Sequence, residues 1–209
     1  MSINKPSPPD PLSVPERGND QQASSSPSPE ALALSAAKGR GGQGVRTVVI
    51  GLGNPLMGDD GLGLAVLDEL RSGYALPEDV ELVDGGTWGL NLLPVIEDAH
   101  ELILIDAIDA GKPPGSLVRL EHHQLPRYLA TKISPHQVDL RDVLGLAELR
   151  GTLPADTVAL GLQPESVELR NSLSDMLRCR VSELAGAVVE ELARRKHRVE
   201  SFLVAVSDA

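Results

Sequence analysis

The chain has 209 residues, 19 Lys and Arg against 30 Asp and Glu, a net charge of −11, and one cysteine. That acidic balance disfavours a general binder of phosphate backbones. Cys179 alone excludes an intramolecular disulfide, and no apolar run approaches the roughly 18–20 residues of a bilayer span. The N-terminus shows no apolar signal segment, so the expectation is a cytoplasmic protein with neither membrane nor nucleic acid among its partners. Trp88, Tyr74, Tyr128 and Phe202 are the only aromatic residues. Base-stacking platforms are therefore nearly excluded, and Leu, Val, Ile and Ala must build the core.

Residues 1–45 read as a disordered tail. Pro6, Pro8, Pro9, Pro11, Pro15, Pro27 and Pro29 crowd into it, with Ser24-Ser25-Ser26 and Gly41-Gly42. Such composition buries too little apolar surface to offset the entropy of ordering. Within it, residues 30–37 could form a transient helix. A folded domain is expected over 46–200, with 201–209 as a C-terminal tail.

The domain opens on Thr47-Val48-Val49-Ile50, a β-branched run closed by Gly51, which predicts a buried strand. A helix follows over 61–71, with Leu62, Val66, Leu67 and Leu70 on one face. Val80 to Val83 is a second strand, closed by Asp84-Gly85-Gly86. A helix over 89–99 takes Thr87 as N-cap. Strands are expected at 101–105, 116–121 and 158–163, and a helix at 138–149. The last helix spans 173–195 on the stripe Leu173, Leu177, Val181, Leu184, Val188 and Leu192, with Ser172 and Asp175 as a capping box. Alternating strands and helices imply a three-layer α/β fold: a largely parallel, twisted sheet of about five strands with helices on both faces.

In such sheets ligands bind outside the strand C-terminal ends. Here the first strand leads into Gly51-Leu52-Gly53-Asn54-Pro55-Leu56-Met57-Gly58-Asp59-Asp60-Gly61, the second ends at Asp84 and the third at Asp106. Asp is common in turns and at helix starts, which accounts for any one of them. Asp106 is harder to dismiss, because an acid closing so apolar a strand must be paired, solvated or bound. His136, in the Ser134-Pro135-His136 approach to the 138–149 helix, is the natural fourth member. Carboxylates with one imidazole form a mixed oxygen and nitrogen set that suits a borderline metal such as nickel or zinc.

Other patterns are weaker. The spacing of Gly51, Gly53 and Gly58 departs from the dinucleotide fingerprint. Gly111-Lys112 runs into Pro113 and reads as a turn. His122-His123 reads as a solvated strand end, and Cys179 as a packing residue. No serine-hydrolase elbow is present.

Four runs in order, VVIGLGNPLMGDDGLGLAVLDEL, VDGGTWGLNLL, LILIDAID and KISPHQVDLRDVL, resemble the maturation endopeptidases of nickel–iron hydrogenases, over about residues 47–195. The resemblance implies a hydrolase, often called aspartic-type, that removes a C-terminal peptide from the hydrogenase large-subunit precursor after nickel insertion. It implies a metal-binding and catalytic trio at Asp60, Asp106 and His136. Asp60 stands where the family often has Glu. Asp59 would hold the loop, and Asn54, Asp84, Gly85 and Gly86 would support the site. Nickel would arrive with the client, and a monomer is the family expectation.

Two rivals remain. Peptidyl-tRNA hydrolases also begin with a strand and a Gly-Leu-Gly-Asn-Pro loop, but their following Thr-Arg-His-Asn motif is missing, and an RNA substrate favours a basic face. A nickel-checking chaperone that binds the large subunit without cutting it would use the same ligands.

Overall fold

The computed structural model describes residues 46–86, 88–125 and 140–202. The tail at 1–45, Thr87 with its expected cap, and His136 lie outside them. Five strands form one sheet: β1 (Thr47–Leu52), β3 (Val80–Gly86), β4 (Glu101–Ala107), β5 (Leu117–Glu121) and β6 (Asp156–Leu162). Their order is β3-β1-β4-β6-β5. All neighbours are parallel except β5, which runs antiparallel to β6 on the edge. A separate two-stranded pair joins β2 (Tyr74–Ala75) to β7 (Glu200–Ser201).

Side-chain parity divides the core into two layers, because successive strand residues point to opposite faces. On one face Val49, Ile103, Ile105, Val158 and Leu160 meet α1 (Leu62–Gly73), α4 (Asp175–Arg178) and α5 (Val181–Arg194). On the other, Val48, Ile50, Leu102, Leu104 and Ala159 meet α2 (Leu93–Glu97) and α3 (Leu140–Leu149). Leu177, Leu184, Val188 and Leu192 of the C-terminal stripe are all fully buried. Each such burial contributes roughly 1.5–3 kcal/mol.

Several elements differ from the sequence expectation. The 89–99 helix is a 3-10 turn, Gly89–Leu92, followed by the short α2. The chain must first turn the corner from β3, and Pro94 then lies in the opening turn of α2, where its missing N–H costs nothing. The 173–195 helix breaks between α4 and α5. Its cap is Ser174, not Ser172: the Ser174 side chain accepts a hydrogen bond from the Leu177 N–H. Cys179 is exposed at that break and packs no core. The second strand runs on through Asp84 to Gly86.

Strand order reverses at β1. The chain passes from β1 to β3 on one side, then crosses to β4 on the other. Loops leaving neighbouring strands diverge at such a switch point, and a crevice opens outside their C-terminal ends. The loop after β1 and the end of β4 flank that crevice.

Candidate active site

The loop after β1 is held by backbone contact. Gly53 has φ +106°, a conformation side chains rarely adopt, and carries the chain out of the strand. A 3-10 turn, Gly58–Gly61, then presents Asp59 and Asp60 and leads directly into α1. The second residue of α1, Gly63, packs against the sheet so closely that a Cβ would stand 2.4 Å from the Ile105 carbonyl oxygen. This contact brings the acidic turn against β4, and the two elements are packed together.

The two adjacent acids have opposite environments. Asp59 is 1% exposed. Its carboxylate accepts hydrogen bonds from the N–H groups of Glu165 (2.8 Å), Ser166 (3.2 Å) and Ser174 (2.7 Å), and from the Ser174 hydroxyl (3.0 Å). Burial by itself would raise this carboxyl, but the bonds from Ser174, Glu165 and Ser166 outweigh it and hold the group below the ordinary aspartate value. Asp60 is half-buried. Its Oδ2 accepts the Asn54 N–H at 2.7 Å, tying the turn back to the start of its own loop.

Asp106 is 4% exposed, near the end of β4 and in register with Gly161 of β6. Its strand position shares parity with Leu102 and Leu104, which places it on the α2 and α3 side of the sheet. Asp84 shares parity with Val80 and Leu82 and belongs to the α1 side. Burial raises its carboxyl; nearby Arg71 opposes that, Asp68 adds to it, and the Gly86 N–H opposes it, with a net rise. Asp84 therefore stands at the same end of the sheet as Asp106 but on the opposite face. Gly85 is buried, and a Cβ there would meet Ile50 at 2.5 Å.

Among the described residues no three His, Cys, Asp or Glu side chains are grouped as a metal site. His122 and His123 occupy a 3-10 turn at the opposite end of the sheet, where His122 Nδ1 lies 3.2 Å from the Pro154 carbonyl oxygen. No helix of the described residues is long and apolar enough to cross a membrane.

Sequence reading missed the connection from β6 to α4, residues 163–174. It forms the outer wall of the acidic turn: Gly58 N–H donates to the Arg170 carbonyl (2.7 Å), Asp59 N–H to Ser166 (3.1 Å), and Arg170 N–H to Leu56 (3.0 Å). Gln163, nearly buried, accepts from the N–H groups of Ala110 and Lys112 and donates to Asp109. The pairings of the acidic turn join positions about a hundred residues apart and those of Gln163 about fifty, and no local periodicity announces them. The one local signal was Ser174 ahead of Asp175, a helix-cap pattern that could have marked the residue.

The sequence and the fold are both similar to those of known proteins. The model of the hydrogenase maturation proteases matches residues 64–195. The chain is 41% identical over 124 residues to the hydrogenase expression/formation protein HupD of Rhodobacter capsulatus, covering 59% of each. It is 35% identical over 150 residues to HoxM of Azotobacter vinelandii, covering 71% of this chain and 72% of that one. The structure superposes on the hydrogenase maturating endopeptidase HybD from E. coli with a TM-score of 0.71 and 32% identity, over 75% of this chain and 98% of that one. The chain belongs to the hydrogenase maturation protease family. It spans 59% of the length of the first of these relatives.

Proposed function

We propose that the chain is an endopeptidase that removes the C-terminal extension of a nickel–iron hydrogenase large-subunit precursor after nickel insertion. It recognises the bound nickel through Asp60, Asp106 and His136. The observation that carries this reading is the packing of the Asp60 turn against β4, beside the strand end that bears Asp106. Support for the third ligand is topological. Helix α3 packs on the 89–92 turn at the crevice end of the sheet, and its far end is tied to Glu97 through Thr152 and Arg150. Its first residue, Leu140, is four residues after His136, a reach on the order of 14 Å.

Nickel in this scheme is cargo on the client and not a resident cofactor. Two carboxylates and an imidazole suit it as a borderline ion. Three ligands leave coordination positions for the client's own donors, so an unloaded precursor offers nothing to bridge the two proteins. The ion supplies Lewis acidity at the scissile amide or its attacking water. A carboxylate of the site orients that water and accepts its proton.

The test is the intact mass of a large-subunit precursor, nickel-loaded and nickel-free, after incubation with the protein. Loss of one discrete C-terminal peptide from the loaded form alone is the expected result. A stable complex with an uncut precursor would instead identify a non-cleaving chaperone.

A further inference from the structure

The proposed site requires a fixed separation between Asp60 and Asp106, and the two are held by different means. Asp106 sits in the sheet, its strand in continuous register with β6 from Glu101–Asp156 to Ala107–Leu162. Asp60 sits on a turn. The connection that leaves β6 at Gln163 reaches that turn and grips it through Asp59: Glu165 and Ser166 from one side, Ser174 from the other. The Ser174 hydroxyl has a double engagement. It donates to Asp59 Oδ2 at 3.0 Å and accepts the Leu177 N–H at 3.3 Å, so the same atom caps α4 and fastens the turn. Ser174 is 2% exposed, shielded from competing water.

We infer that Ser174 is a positioning residue for the metal-recognising carboxylate: through Asp59 it references the Asp60 turn to β6, and hence to Asp106 on the adjoining strand. This inference rests on the proposed peptidase reading. Its physical basis is the tight tolerance of such sites, where displacement of about 1 Å can cost on the order of a hundredfold in rate.

The experiment measures kcat and KM for cleavage of the nickel-loaded precursor, with thermal unfolding of each protein. The variants are Ser174→Ala, Ser174→Thr, and Ile96→Val as a stability-matched control in the opposite core layer. Ile96 is fully buried and distant in sequence from the turn. The expected result is a fall in kcat of at least about tenfold for Ser174→Ala, with recovery in Ser174→Thr, which keeps the hydroxyl. Ile96→Val should melt earlier with its kcat unchanged. Equal kcat for Ser174→Ala and wild type would overturn the positioning role while leaving the peptidase intact. An equal fall in Ile96→Val would overturn it too, by reducing the effect to stability. A wild-type protein that does not cut the loaded precursor defeats the peptidase reading itself, and the inference with it. Should Ser174→Ala not fold, Ser174→Thr and Ser174→Gly decide: loss of kcat in folded Ser174→Gly with retention in Ser174→Thr supports the role, and equal kcat in both overturns it.

Discussion

A Cβ placed on Gly53 would stand 1.7 Å from the carbonyl oxygen of Asp60. The first residue beyond β1 and the second acid of the turn are thus in backbone contact across the loop, with the Asn54 N–H to Asp60 bond beside it. Gly53→Ala would force the turn outward from a backbone already at positive φ. Strain of that kind costs about 1–3 kcal/mol. The expected outcome is a lower urea midpoint together with loss of precursor cleavage. A Gly53→Ala protein that cleaves at the wild-type rate would show that the closeness of the turn is immaterial to activity.

Asp59 and Asp60 should separate stability from activity. Asp59→Ala leaves three backbone N–H groups and a hydroxyl without their acceptor in a buried site. Each unmatched donor costs about 1–3 kcal/mol, so a loss of several kcal/mol in urea denaturation is expected. Asp60→Ala removes the acceptor of one part-buried bond, and a loss of about 1 kcal/mol or less is expected. Cleavage, in contrast, should vanish in Asp60→Ala. Parallel unfolding curves and cleavage assays check both; an active Asp60→Ala enzyme would remove Asp60 from the site.

If nickel is carried by the client, treating the protease with EDTA and then removing the chelator should leave its rate on loaded precursor unchanged. Stripping nickel from the precursor should abolish the cut. Loss of activity after chelation of the protease alone, restored by added metal, would identify a resident ion instead.

Acid sensitivity has a definite source at the opposite end of the sheet. Glu191, 3% exposed, accepts hydrogen bonds from Arg119 at 3.1 Å and Arg194 at 2.8 Å, and pairs closely with Arg195. Burial raises its carboxyl, but the bonds from Arg119 and Arg195 prevail and hold it below the ordinary glutamate value. The unfolded chain therefore binds this proton first as pH falls below about 4.3. The stabilisation from Glu191 is present above that pH and is lost as pH drops toward the folded value. Glu191→Gln should be less stable than wild type at pH 7 by about 2 kcal/mol, and the gap should narrow below pH 4. Urea midpoints across pH 3–7 test this. A gap that widened on acidification would reverse the sign of the assignment.

The layered fold was legible in the sequence because its signals are local. Apolar runs at 47–50 and 102–105 and the 3–4 spacing from Leu177 to Leu192 each declare an element within a few residues; both runs are buried, as are Leu177, Leu184, Val188 and Leu192, while Val181 is half-buried. The glycine loop with Asp60, and Asp106 at its strand end, were legible for the same reason: both punctuate strong strands. Tertiary structure decided what those signals leave open. It put Asp84 on the face opposite Asp106, a matter of strand parity continuing to Gly86, past the Val80–Val83 strand that the sequence predicts. It broke the final helix at Cys179 and moved its cap to Ser174, because that serine is also bonded to Asp59, 115 residues away. Periodicity reports which face of an element is apolar. It carries no information on which distant backbone groups will satisfy a buried carboxylate, and that pairing separates the structural acid Asp59 from its neighbour Asp60.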